Sequence, residues 1–73
     1  MTEDHTNHPA YYNKGNIECI EAIGAATSDL SGIEAFCIGN AIKYVWRWRQ
    51  KGSLQDLDKA IWYIGYIKKL REK

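Results

Sequence analysis

Between Phe36 and Trp48, apolar side chains take up nearly the whole circumference of the helix that their spacing predicts. At about 100° per residue, Cys37, Ile38, Ala41, Ile42, Tyr44, Val45, Trp46 and Trp48 cover far more than the roughly 100° stripe by which a surface helix packs on a core. One strip about 60° wide is different. It carries Phe36, Asn40, Lys43 and Arg47, three hydrogen-bonding side chains in line with one ring. The whole chain has 73 residues, one domain at most, and such a domain buries only about 60% of the surface its unfolded chain exposes. It is too short to cover this helix by itself, so the expected architecture is a homo-oligomer with the helix near its centre.

Composition bounds the rest. With 45% apolar residues, 12% aromatic and a single proline, the chain is folded protein, not a disordered or collagenous segment. Ten Lys plus Arg against nine Asp plus Glu give a formal charge of +1, so there is no basic field of the kind that binds nucleic acid generally. Cys19 and Cys37 have no second pair and no histidine at metal-ligand spacing; they read as small buried hydrophobes in a reducing compartment. The polar first fifteen residues lack the apolar core of a signal peptide, and no stretch approaches eighteen uncharged apolar residues. A soluble protein of the cytoplasm, without a membrane partner, is the expectation.

The class is all-α: three helices in a single domain over residues 8 to 73, behind a frayed tail at 1 to 7. His8-Pro9-Ala10-Tyr11-Tyr12 concentrates an imidazole, a fixed φ and two rings in an ordered arm before the turn-forming Asn13 to Asn16. Asn16 caps a helix predicted over 17 to 27, with Glu18 and Glu21 early, where acids suit the dipole. Asp29 or Ser31 caps the second helix, which runs to Lys51. Gly52 stops it, and Ser53 opens a third that reaches Leu70. On that helix Leu54, Leu57, Ala60, Ile61, Ile64 and Ile67 form the predicted core face. The opposite side carries Asp56, Lys59 and Tyr63, with Trp62 and Tyr66 beside them.

Such strips of cations, an amide or carboxylate, and rings suit a nucleotide: Lys43 and Arg47 for phosphate, rings for base stacking, Asn40 or Asp56 for a base edge or sugar hydroxyl. The plainer alternatives are a solvated helix face for the cations, a subunit interface for Trp46, Trp48, Trp62 and Tyr66, and surface imidazoles for His5 and His8. Asn40 is the residue least easily placed in water, since a carboxamide among apolar neighbours requires a partner. Glu18 and Glu21 have the spacing to share a divalent ion, but capping chemistry accounts for them more simply. There is no Walker-type phosphate loop, nucleophile elbow or Cys-His dyad.

His8-Pro9 with Tyr12, Gly15 to Ile20, Phe36 with Gly39-Asn40-Ala41-Ile42-Lys43-Tyr44 and Arg47, then Asp56-Leu57, Lys59-Ala60 and Trp62-Tyr63 occur in this order over about residues 8 to 67. In this the chain resembles the SaV-like family of small phage proteins, which includes a podovirus deoxynucleoside monophosphate kinase without a Walker motif. The resemblance implies a phage-encoded helical protein that acts on or binds nucleotides in a bacterial host. Carried over by position, it points to His8, Tyr12, Glu18, Asn40, Lys43, Arg47, Asp56, Lys59 and Tyr63.

Phosphoryl transfer requires two nucleotides in line, a metal and charge-neutralising cations, and a chain this small would have to assemble such a site between subunits. Binding alone asks less. The functional expectation is therefore a homo-oligomer that holds a nucleotide in clefts between subunits. It would sequester a cyclic-nucleotide or ADP-ribose type of signal and so inhibit host defence. Nucleoside monophosphate kinase activity is the alternative, and a protein-interaction module inhibiting a host enzyme is the third reading. No cofactor is expected, with Mg²⁺ entering only for the kinase.

Overall fold

A computed structural model describes residues 13–72; the tail at 1 to 7 and the arm from His8 to Tyr12 lie outside the described residues. The described chain is all-α apart from one minimal hairpin. β1 (Asn13–Lys14) and β2 (Ile17–Glu18) pair antiparallel, Asn13 opposite Glu18 and Lys14 opposite Ile17. Gly15 makes the reversal at φ +61°, a conformation open to glycine at little cost. This pairing corrects the expected start of the first helix at residue 17. Instead α1 spans Cys19–Ala26, and Glu18, not Asn16, is its N-cap. Glu18 and Glu21 form a reciprocal capping box, the Glu18 N–H donating to the Glu21 carboxylate at 3.0 Å. At the far end the Thr27 hydroxyl donates back to the Ile23 carbonyl at 2.7 Å.

α2 (Gly32–Arg47) follows, with Ser31 at its N-cap in extended conformation. The α-helical ladder ends at Arg47, short of the expected Lys51, and Trp48–Gly52 form a wider π-type turn. α3 (Ser53–Arg71) then runs back along α2. The direction is fixed at both ends: Arg47, last in α2, pairs with Asp56 in the first turn of α3, and Arg71, last in α3, donates to Glu34 in the first turn of α2, with Nη2 to Oε1 at 3.0 Å. The pair is an antiparallel helical hairpin, and α1 packs on α2. There Gly39 is buried, and a Cβ at that position would lie 3.2 Å from the Ile23 Cγ2 methyl.

The core is small in every sense. Among the described residues the buried apolar ones are Cys19, Cys37, Ala41 and Ala60. Both cysteines are free thiols. The expected core face of α3 is corrected in part: Ala60 is buried as expected, but Leu54, Ile61 and Ile64 are exposed at 68%, 67% and 45%, and Asp56, expected on the opposite side, is buried. Hydrophobic periodicity identified an apolar face but not its neighbour. The ion pair with Arg47 turns the Asp56 side of α3 towards α2 and leaves Leu54 and Ile61 outward. No helix among the described residues is long and apolar enough to cross a membrane.

Candidate functional site

The polar strips of α2 and α3 meet. Residues 36, 40, 43 and 47 recur every three or four positions and lie along one side of α2, and the antiparallel return of α3 sets Asp56, Lys59 and Tyr63 beside them. Asp56 is 1% exposed and receives the Arg47 guanidinium, Nε to Oδ2 at 2.8 Å and Nη2 to Oδ1 at 3.5 Å. Lys59 Nζ lies 3.9 Å from the same carboxylate. A carboxylate this deeply buried requires such partners to remain charged at low cost.

Above the pair lies a ring that the sequence reading did not single out as a site residue. Tyr44 has three cations around it, Lys43 Nζ at 4.9 Å, Arg47 Cζ at 5.2 Å and Lys59 Nζ at 5.3 Å from its centroid, all within cation–π range. Its other neighbour is Tyr63, near-parallel at 17° and 6.1 Å between centroids. Phe36 and Trp62 each meet Tyr63 edge-on, at 6.0 and 5.1 Å, and Trp62 stacks on Tyr66 at 5.6 Å. The rings form a continuous row beside three cations and one carboxylate, a cluster of surplus positive charge suited to an anion that carries a flat, stackable group.

A family model described as protein of unknown function (DUF3310) matches residues 6–65. The chain belongs to that family. No curated protein and no solved structure matches it.

Of the sequence-derived site residues in this DUF3310 chain, Asn40, Lys43, Arg47, Asp56, Lys59 and Tyr63 lie on the two facing strips. His8 and Tyr12 lie outside the described residues. Glu18 is engaged at the N-terminus of α1, in the capping box. The Asn40 amide finds a partner on its own helix: Nδ2 donates to the Phe36 carbonyl at 3.0 Å, the bond back to residue i−4 available to a short polar side chain in mid-helix. Among the described residues no group of three or more His, Cys, Asp or Glu side chains is placed to hold a metal ion. Tyr44 was hidden by its position at the edge of the strip, where helical phase alone counts it with the apolar circumference. The signal that could have found it is its placement beside Lys43 and one turn before Arg47.

Proposed function

We propose that this DUF3310 protein binds a nucleotide on the α2–α3 strip and sequesters it, acting in a phage-infected host against defence signalled by a cyclic nucleotide or an ADP-ribose derivative. The observation that carries the reading is the convergence of Lys43, Arg47 and Lys59 on the Tyr44 ring, which itself stacks on Tyr63. Phosphate oxygens accept from the two lysines, while Arg47 is already committed to Asp56 and sets the positions of the others. The base stacks along the tyrosines, and the Asn40 amide oxygen accepts from a base edge. All these groups come from one chain, so the reading assigns one ligand to each protomer instead of a cleft between subunits.

The test is calorimetric titration of the purified protein with nucleoside mono-, di- and triphosphates, cyclic dinucleotides and cyclic ADP-ribose. Heat release and mass spectrometry then follow on the bound fraction. One nucleotide should bind at one per chain and return chemically intact. Conversion of a deoxynucleoside monophosphate and ATP to diphosphates with Mg²⁺ would assign a kinase instead. Absence of binding across the panel would sink the nucleotide reading and leave the ring face to a protein partner.

A further inference from the structure

α2 and α3 also meet on the side away from the polar strip, and there the junction is entirely apolar. Ile38, Ala41, Ile42, Val45 and Trp46 of α2 and Ile64 of α3 line a groove of about 350 Å³ without one charged residue. Val45 and Ile64 are 50% and 45% exposed, and the same side of α3 continues outward with Leu54 and Ile61, both about two-thirds exposed. Residues 38, 42 and 45 fall roughly half a turn round α2 from residues 40, 43 and 47, and residue 46 about a quarter turn, so the body of this face and the candidate ligand strip are separate surfaces.

We infer that this face is the interface of a homodimer, in which the α2–α3 hairpin of a second copy lies across it to make a four-helix arrangement. Among the described residues the apolar ones buried within one chain are two cysteines and two alanines. No Leu, Ile, Val, Phe or Trp among the described residues is buried, and Ile38, Ile42, Val45 and Ile64, side chains of the kind that ordinarily supply a core, are gathered along this one groove. Cover that the fold depends on must be present whenever the chain is, and another copy of the chain meets that condition without help. The charge pattern selects the same occupant. A two-fold interface sets one patch against its own duplicate; a charged groove would repel itself there, whereas this uncharged one matches itself. Two antiparallel hairpins packed through such faces also satisfy the ordinary geometry of helical bundles.

Sedimentation and light-scattering mass across a wide concentration range test the interface without any ligand. The wild-type protein should have twice the 8.4 kDa mass of the chain, and Ile61→Glu and Val45→Glu should each weaken dimerisation by at least tenfold. Phe36→Glu, at a site 58% exposed on the polar strip of α2, should leave the mass unchanged. If Ile61→Glu loses its helical circular dichroism, the wild-type Tm decides: it should rise with protein concentration when folding and dimerisation are coupled. A wild-type protein of single-chain mass, or an Ile61→Glu variant that keeps the dimer, would overturn the assignment. So would an Ile61→Glu variant that unfolds while the wild-type Tm is independent of concentration. Nucleotide titration of the same samples is read separately, so either result stands without the other.

Discussion

Arg47 and Asp56 hold the hairpin together from opposite sides of its turn, the guanidinium Nε 2.8 Å from a carboxylate oxygen on a residue that is 1% exposed. The pair is structural before it is anything else. Removing one partner leaves a charge in a poorly solvated place, so Asp56→Ala should cost about 3–5 kcal/mol and Arg47→Ala a similar amount. Replacing both with apolar residues of similar size, Arg47→Met with Asp56→Leu, should cost less than either single change. Urea unfolding of the four proteins at one fixed concentration checks this, and simple additivity would show that the two groups do not depend on each other.

Lys43 separates binding from stability more cleanly. It lies 4.9 Å from the Tyr44 ring and outside the Arg47–Asp56–Lys59 ion-pair group, so Lys43→Ala should change unfolding free energy by no more than about 0.5 kcal/mol. A charge-assisted hydrogen bond to phosphate is worth about 1.5–3 kcal/mol, and calorimetric affinity for the bound nucleotide should fall by about ten- to a hundredfold. Equal affinities would move the phosphate site off this strip.

At Gly39 the helix-forming advantage of alanine and the packing of α1 oppose each other. Alanine in mid-helix gains about 1 kcal/mol over glycine, but its Cβ would stand 3.2 Å from Ile23 Cγ2, a stiff β-branched methyl. Crowding of this kind costs about 1–3 kcal/mol, so Gly39→Ala should be net destabilising by about 1 kcal/mol. In an Ile23→Leu background, which removes that methyl, the same change should become neutral or stabilising. Thermal melts of the double-mutant cycle give the answer, and identical effects in both backgrounds would remove Ile23 as the cause.

Helical phase was sufficient to put Asn40, Lys43 and Arg47 on one line and Asp56, Lys59 and Tyr63 on another, because both depend only on spacing along a single helix. It could not show that the two lines meet, which is settled by the antiparallel return of α3 and by one buried ion pair. For the same reason Leu54 and Ile61 are expected in a core that α3 instead enters with Asp56 and Ala60. Capping chemistry was legible at Glu18 and Glu21, whose spacing fits the reciprocal box. The Asn13–Glu18 pairing was not, since a two-residue strand carries no periodicity.

Ser53 is the one non-glycine residue with positive φ among those described, at φ +56° and ψ −162°, a region that side chains with a Cβ enter at a cost of about 1–3 kcal/mol. The strain sits where the π-type turn gives way to α3, and so sets where Asp56 comes round to Arg47. Ser53→Gly relieves the backbone while widening the unfolded ensemble, an opposing effect of about 0.4–1 kcal/mol. The net expectation is stabilisation of about 1 kcal/mol, read as a higher urea midpoint with an unchanged slope. A lower midpoint would mean that the serine side chain contributes more than its backbone costs.

The other end of the hairpin gives the fold a pH and salt dependence. Glu34 accepts hydrogen bonds from Arg71, and chiefly through them its carboxyl is held below the usual range, while the guanidinium is raised in turn. A carboxyl whose pKa is lower in the folded than in the unfolded state adds stability above its unfolded value, about 4.3. That contribution disappears as pH falls through the folded value. The raised guanidinium loses its contribution only at strongly alkaline pH. Glu34→Gln should therefore lower Tm at neutral pH and low salt, and the gap from wild type should close both on acidification below about pH 4.3 and on raising the ionic strength, since an exposed pair is screened. A gap that persists in acid would assign the role of Glu34 to its position in the first turn of α2 instead of to Arg71.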